Sequence, residues 1–128
     1  MWKGVMPAVT TKFTDGGELD HAEMERCFAL QMQAGCDGLI VAGSLGEGPM
    51  LSQDERIAVL RTAQGVAMGR PVLMTICEGA TWAACDMARK AAKAGAAGLM
   101  IVPSPIYHTN PAETEANLRA IAAAPAFA

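Results

Sequence analysis

The sequence has no long apolar run, no excess of charge of one sign and no paired cysteine motif. No stretch reaches the roughly 18 apolar residues of a membrane span, and the N-terminus lacks the apolar region of a signal peptide. A cytoplasmic protein without a membrane partner is therefore expected. The formal net charge is −3, and no cluster of basic residues predicts a surface that binds nucleic acid. With 52% hydrophobic and 18% charged residues, the chain has the composition of a globular domain with a sizeable core.

The cysteines show no spacing typical of a metal or redox site. There are four of them, Cys27, Cys36, Cys77 and Cys85, with no C-x-x-C motif and no histidine pair nearby. Buried, reduced thiols are expected rather than disulfides or a zinc site. Nothing in the sequence predicts a metal ion or an organic cofactor.

The most informative stretch is the apolar run Leu39–Ala42 and the glycine-rich turn that follows it. A strand that is apolar at every position is buried on both faces, as in a parallel sheet covered by helices. The turn Gly43–Gly48 then lies at the carboxyl end of the strand, where α/β folds place their binding sites. This turn is the first place to look for function.

Strand and helix signals alternate along the whole chain. The segment Ala34–Val41 is repeated as Ala94–Ile101, with one glycine closing a helix and a second opening a strand. Strands begin about 30 residues apart, the length of one βα unit. The predicted strands are Gly4–Thr11, Leu39–Ala42, Val72–Ile76 and Leu99–Val102, and the predicted helices begin at Asp20, Ser52, Thr81 and Pro111.

Two closures of such a parallel sheet are possible. One is an open, flavodoxin-like sheet, although the phosphate loop expected after its first strand is missing. The other is part of a (β/α)8 barrel. A whole barrel needs roughly 200 residues or more, so residues 1–128 would be the N-terminal half of such a domain, apparently truncated.

Several residues could carry chemistry, and each also has a structural interpretation. The backbone N–H groups of Gly43–Glu47 could cradle a carboxylate, with Ser44 adding a hydroxyl, or the turn could be a plain connection. Glu47 could act as a base, but a carboxylate bonded to its own turn is more common. Tyr107 lies in a proline-rich loop and could relay a proton or pack the loop. His108 is expected to be a solvated loop residue.

The chain holds no obvious amine nucleophile. Its lysines are Lys3, Lys12, Lys90 and Lys93. None is predicted to lie at the carboxyl end of a buried strand, where a desolvated Schiff-base amine would be expected.

Four motifs together resemble the N-terminal half of the dihydrodipicolinate synthase / N-acetylneuraminate lyase family. They are Gly4-x-x-Pro7-Ala8-x-Thr10-Thr11-x-Phe13, then Gly38-Leu39-x-x-x-Gly43-Ser44-Leu45-Gly46-Glu47 with Leu51-Ser52-x-x-Glu55-Arg56, Gly95-Ala96-x-Gly98, and Pro105-Ile106-Tyr107. The resemblance implies a class I aldolase-type (β/α)8 barrel, of which this chain covers about the first four βα units.

The resemblance also implies roles for individual residues. In the family, a lysine forms a Schiff base with pyruvate or another 2-keto acid, and the turn Gly43–Glu47 holds the acid's carboxylate. Ser44 matches the hydroxyl that hydrogen-bonds a relay tyrosine, and Tyr107 matches the tyrosine that completes the relay across a tight-dimer interface. A homo-oligomer, dimer or tetramer, is implied for the full-length form. The family's relay tyrosine and its lysine would lie beyond Ala128.

One position in the turn departs from the family's usual G-[ST]-T-G-E pattern. Leu45 stands where threonine is usual, so a hydroxyl is missing from the carboxylate site. Losing a hydrogen bond to a charged group weakens binding by about 1.5–3 kcal/mol. The alternative to an aldolase, lyase or dehydratase is a non-catalytic half-barrel that self-associates and at most binds a small carboxylate.

Overall fold

Helices and parallel strands alternate along the chain in the computed structural model, which describes residues 2–103 and 109–125. None of the helices in these ranges is long and apolar enough to cross a membrane. The elements are α1 (His21–Gln33), β1 (Leu39–Val41), a short 3-10 helix (Gly48–Met50), α2 (Gln53–Val66), β2 (Val72–Ile76), α3 (Thr81–Lys93), β3 (Gly98–Ile101) and α4 (Pro111–Ala123).

The strands are hydrogen-bonded in sequence order. β1, β2 and β3 form one parallel sheet, and Ala8 bridges Ile40 on the free side of β1. A flavodoxin-like sheet would place its first strand between the second and the third. The N-terminal segment corresponds to the first strand, so β1 and β2 correspond to the second and third. Because β1 and β2 are direct neighbours, the flavodoxin-like alternative is wrong. Strands added one by one through right-handed crossovers place every helix on the same face, as in a barrel wall.

The predicted strand Gly4–Thr11 is wrong as a regular element, although the segment does lie beside β1. Only the Ala8–Ile40 bridge is formed. The Ile40 N–H donates to the Pro7 carbonyl at 2.9 Å, and the Val9 N–H donates to the Ile40 carbonyl at 3.0 Å. Because Pro7 has no N–H to donate, a longer ladder is interrupted there.

The two faces of the sheet differ. Alternate strand residues, among them Leu39, Met74 and Ile76, pack with Phe28 and Leu60 of the helices in the main core. The residues between them point the other way because the side chains of a strand alternate. This helix-free face carries Ile40, Leu73, Thr75 and Met100, and Trp2 lies against Gly98 and Leu73 at one end of it.

Most of the predicted helix starts are confirmed. The Asp20 carboxylate accepts the Glu23 N–H, and Ser52 forms a capping box with Glu55. Pro111 opens α4, as expected. The cap at Thr81 is wrong, because the N-cap of α3 is Ala80, which offers no side-chain bond. The Thr81 hydroxyl lies one residue after the N-cap, so it cannot accept the backbone N–H bond that an N-cap side chain accepts.

The cysteines are reduced, as predicted. Cys27, Cys36, Cys77 and Cys85 are all free thiols. They are partly exposed rather than fully buried, so they line the margins of the core instead of filling it.

Candidate functional site

The turn at the carboxyl end of β1 is closed by its own backbone. The Gly48 N–H donates to the Gly43 carbonyl at 3.0 Å, and the Glu47 N–H donates to the Ser44 carbonyl at 3.2 Å. Ala42 and Glu47 stand on either side with φ angles of 55° and 54°. Left-handed conformations of non-glycine residues are strained and concentrate at functional sites. The backbone geometry therefore indicates a candidate functional site at the same turn that the sequence predicts.

Two glycines of the turn are required by close packing. A Cβ on Gly48 would collide with the Ala42 carbonyl, and one on Gly46 would lie 2.9 Å from the Val9 carbonyl oxygen. Any side chain at either position would push the turn away from the strand ends. The backbone of the turn is thus held against β1 and the N-terminal segment.

Thr11 fastens the turn from the other side. Its buried hydroxyl donates a hydrogen bond of 2.6 Å to the Gly46 carbonyl. In the sequence, Thr11 stands out only as part of a motif, and no role is predicted for it. The sequence signal for this role is that Thr11 ends the first apolar run, just as the turn follows the apolar run of the next strand.

The turn presents backbone donors that no other group in the described residues uses. In residues 2–103 and 109–125, the backbone N–H groups of Ser44, Leu45 and Gly46 have no hydrogen-bond acceptor. Ser44 and Leu45 are exposed, with Leu45 68% accessible. Consecutive free N–H groups in a turn are able to bind an anion, and Ser44 adds a hydroxyl beside them. The residues Gly43–Glu47 named from sequence are therefore gathered in one place.

One sequence expectation near the turn is wrong, and two residues cannot be compared with the structure. The Glu47 carboxylate is expected to bond N–H groups of its own turn, but within the described part of the chain Glu47 forms no side-chain bond to the 3-10 helix that it precedes. Glu47 is instead exposed. Tyr107 and His108 lie outside the described residues, so their roles remain predictions.

A buried ion pair lies at the carboxyl end of the next strand. Arg56 of α2 contacts the Glu78 carboxylate at 2.7 Å, and each side chain is only 8% exposed. The other Glu78 oxygen accepts the Cys77 N–H at 3.0 Å, and burial raises the pKa of the Cys77 thiol. The pair ties α2 to the loop that follows β2. Sequence reasoning missed it because the partners belong to different units.

The lysines lie away from the turn or only border it. Lys90 and Lys93 are on α3, and Lys3 is exposed near the N-terminus. Lys12 comes closest in the chain, since it follows Thr11 and is half-buried. Its backbone carbonyl accepts the Asp20 N–H at 2.8 Å.

Comparisons with known proteins agree on one family. The family model described as "Dihydrodipicolinate synthetase family" matches residues 1–127. The chain is 39% identical over 122 residues to 4-hydroxy-tetrahydrodipicolinate synthase from Synechococcus sp. (strain WH7803), covering 94% of this chain and 40% of the relative. It is 35% identical over 107 residues to L-2-keto-3-deoxyarabonate dehydratase from Azospirillum brasilense, covering 83% and 34%.

Solved structures show the same relationship. A prophage protein of the dihydrodipicolinic acid synthase family from E. coli K12, solved with pyruvate, superposes with a TM-score of 0.91 at 27% identity. The alignment covers 99% of this chain and 43% of that one. The predicted fold class is confirmed: the chain has the fold of a (β/α)8-barrel family and matches about 43% of the length of such barrels. It spans about 40% of the length of the curated relatives it matches.

Proposed function

The chain belongs to the dihydrodipicolinate synthetase family, and on that premise we propose that it acts on pyruvate or a related 2-keto acid. The reaction is a carbon–carbon or carbon–oxygen lyase or synthase step. In this proposal, residues 1–128 are the first half of a barrel domain, and their contribution is the carboxylate site at Gly43–Glu47. Catalysis requires residues beyond this half.

The observation that carries the proposal is the row of free N–H groups at Ser44, Leu45 and Gly46. A keto acid held there by its carboxylate presents its carbonyl carbon towards the axis of the barrel. Fixed backbone dipoles bind such an anion without reorganising, which favours a near-attack geometry. Ser44 adds a hydroxyl from an exposed position at the strand end.

The covalent step needs a neutral amine. A lysine amine adds to the keto carbon and water leaves, which gives an imine; once protonated to the iminium, it draws electrons from the bond next to the former keto carbon. We place this lysine beyond residue 128. Ser44 and Tyr107 then belong to the proton relay, with Ser44 hydrogen-bonded to the relay tyrosine and Tyr107 completing it across a subunit interface. The full-length form is accordingly proposed to be a homo-oligomer, a dimer or tetramer in the cytoplasm.

Borohydride trapping tests where the amine lies. The 128-residue chain is incubated with pyruvate, reduced with borohydride and weighed intact. No added mass is expected. A stoichiometric pyruvyl adduct would place the amine within this chain and overturn that part of the proposal. Lys12 is then the first residue to check, by peptide mapping and by loss of the adduct in Lys12→Arg.

A second candidate function is a non-catalytic half-barrel that self-associates and binds a small carboxylate. It is favoured by the exposed apolar side chain of Trp2, which is 50% exposed and lies beside Gly98 at the start of β3. Sedimentation velocity tests it. Association that grows with concentration supports this candidate, and a monodisperse, stable monomer argues against it.

A further inference from the structure

Thr75 is a buried hydroxyl without a partner at the level of the candidate site. The residue is 1% exposed, and its Oγ1 makes no hydrogen bond within the part of the chain that the structure describes. A buried hydroxyl left unpaired destabilises the folded chain. Valine would fill nearly the same volume in the middle of β2 without this cost. Packing alone therefore does not explain why residue 75 is a threonine.

The hydroxyl faces the turn rather than the helices. Thr75 pairs with Met100 of β3, and both lie on the helix-free face. A Cβ built on Gly43 would be 3.5 Å from Thr75 Oγ1 and 3.6 Å from Met100 Cε. Because Gly43 has no side chain, a gap of about the size of one Cβ separates the turn from the Thr75 hydroxyl, and the flexible end of Met100 closes it off from solvent.

The composition of the turn suggests what the hydroxyl binds. Leu45 cannot offer a hydroxyl to an anion on the turn, and its side chain is 68% exposed. Thr75 supplies a hydroxyl from the neighbouring strand, in line with Gly43. We propose that Thr75 is a substrate-binding residue whose Oγ1–H donates a hydrogen bond to the carboxylate of the 2-keto acid on Gly43–Glu47. This inference rests on the proposed function of that turn.

Two valine variants of buried threonines separate this role from packing. Thr75→Val removes the unpartnered hydroxyl. Thr62→Val is the matched control, because the Thr62 hydroxyl is paired with the Ala58 carbonyl at 3.0 Å and with His21 at 2.8 Å. For each variant of the 128-residue chain, pyruvate affinity is measured by NMR titration and the melting temperature by circular dichroism. Thr75→Ser, which keeps the hydroxyl, is measured alongside.

The two variants are expected to behave in opposite ways. Thr75→Val should keep or raise the melting temperature and weaken pyruvate binding at least about tenfold, while Thr75→Ser binds nearly as the parent does. Thr62→Val should melt lower and bind pyruvate normally. Parent-like affinity in Thr75→Val overturns the inference about Thr75 alone. A parent chain that does not bind pyruvate overturns this inference together with the proposed function.

Discussion

The Thr11 hydroxyl donates a hydrogen bond of 2.6 Å to the Gly46 carbonyl, although the two residues are 35 positions apart. The bond is buried and joins the N-terminal segment to the turn after β1. The shape of the candidate site therefore depends on a side chain outside the turn.

Thr11→Val should destabilise the chain by about 1–3 kcal/mol, because the Gly46 carbonyl would stay buried without its donor. The free energy of unfolding, measured by urea denaturation, checks this. Thr10→Val is the control, since Thr10 is adjacent and exposed, and it should change the free energy by less than about 0.5 kcal/mol. Equal effects of the two variants would show that the Thr11 bond does not stabilise the turn.

Gly48→Ala and Gly65→Ala should change stability in opposite directions. The added methyl would collide with the Ala42 carbonyl in the first variant and meet open space in the second. Gly48→Ala is expected to cost about 1–3 kcal/mol or more, whereas Gly65→Ala, inside α2, should gain about 0.8–1 kcal/mol. Thermal denaturation of both variants checks the sign. A stabilised Gly48→Ala chain would contradict the close packing of the turn.

Removing one partner of the buried Arg56–Glu78 pair should be costly. Arg56→Met leaves a buried carboxylate unpaired and should lower the free energy of unfolding by about 3–5 kcal/mol. The double variant Arg56→Met/Glu78→Leu should regain most of this loss, since two buried charges are replaced by apolar groups.

Arg119→Met is the surface control for that pair. Its partner is Glu115, and their side chains are 78% and 63% exposed, so a change below about 1 kcal/mol is expected. Urea denaturation compares the three variants. If Arg56→Met costs no more than Arg119→Met, the Arg56–Glu78 pair does not hold α2 to the loop after β2.

Local signals in the sequence were enough to predict the βα units. Ser52 and Glu55 mark a helix start by their spacing, and both side chains bond as the capping box requires. Gly35 and Gly95 each follow a helix at a φ near +90°, where a glycine is favoured. The repeated spacing of such signals also predicted a parallel sheet. The order of the strands within the sheet became known only from the observed pairing of β1 with β2.

Contacts between units could not be read from the sequence in the same way. The Thr11–Gly46 bond and the Arg56–Glu78 pair join residues whose separation follows no helical or strand period. Thr75 reads as one more residue of a buried strand until its register beside Met100 and Gly43 is known. The turn itself was found because its glycines and its place after an apolar strand are both local features.

An NMR titration of the 15N-labelled chain with pyruvate tests the central claim most directly. The backbone N–H groups of Ser44, Leu45 and Gly46 are proposed to bind the carboxylate, so their amide signals should shift together and saturate. Methyl pyruvate, which lacks the negative charge, should leave them nearly unchanged. If these amides do not move with pyruvate, or move equally with the ester, the turn is not a carboxylate site.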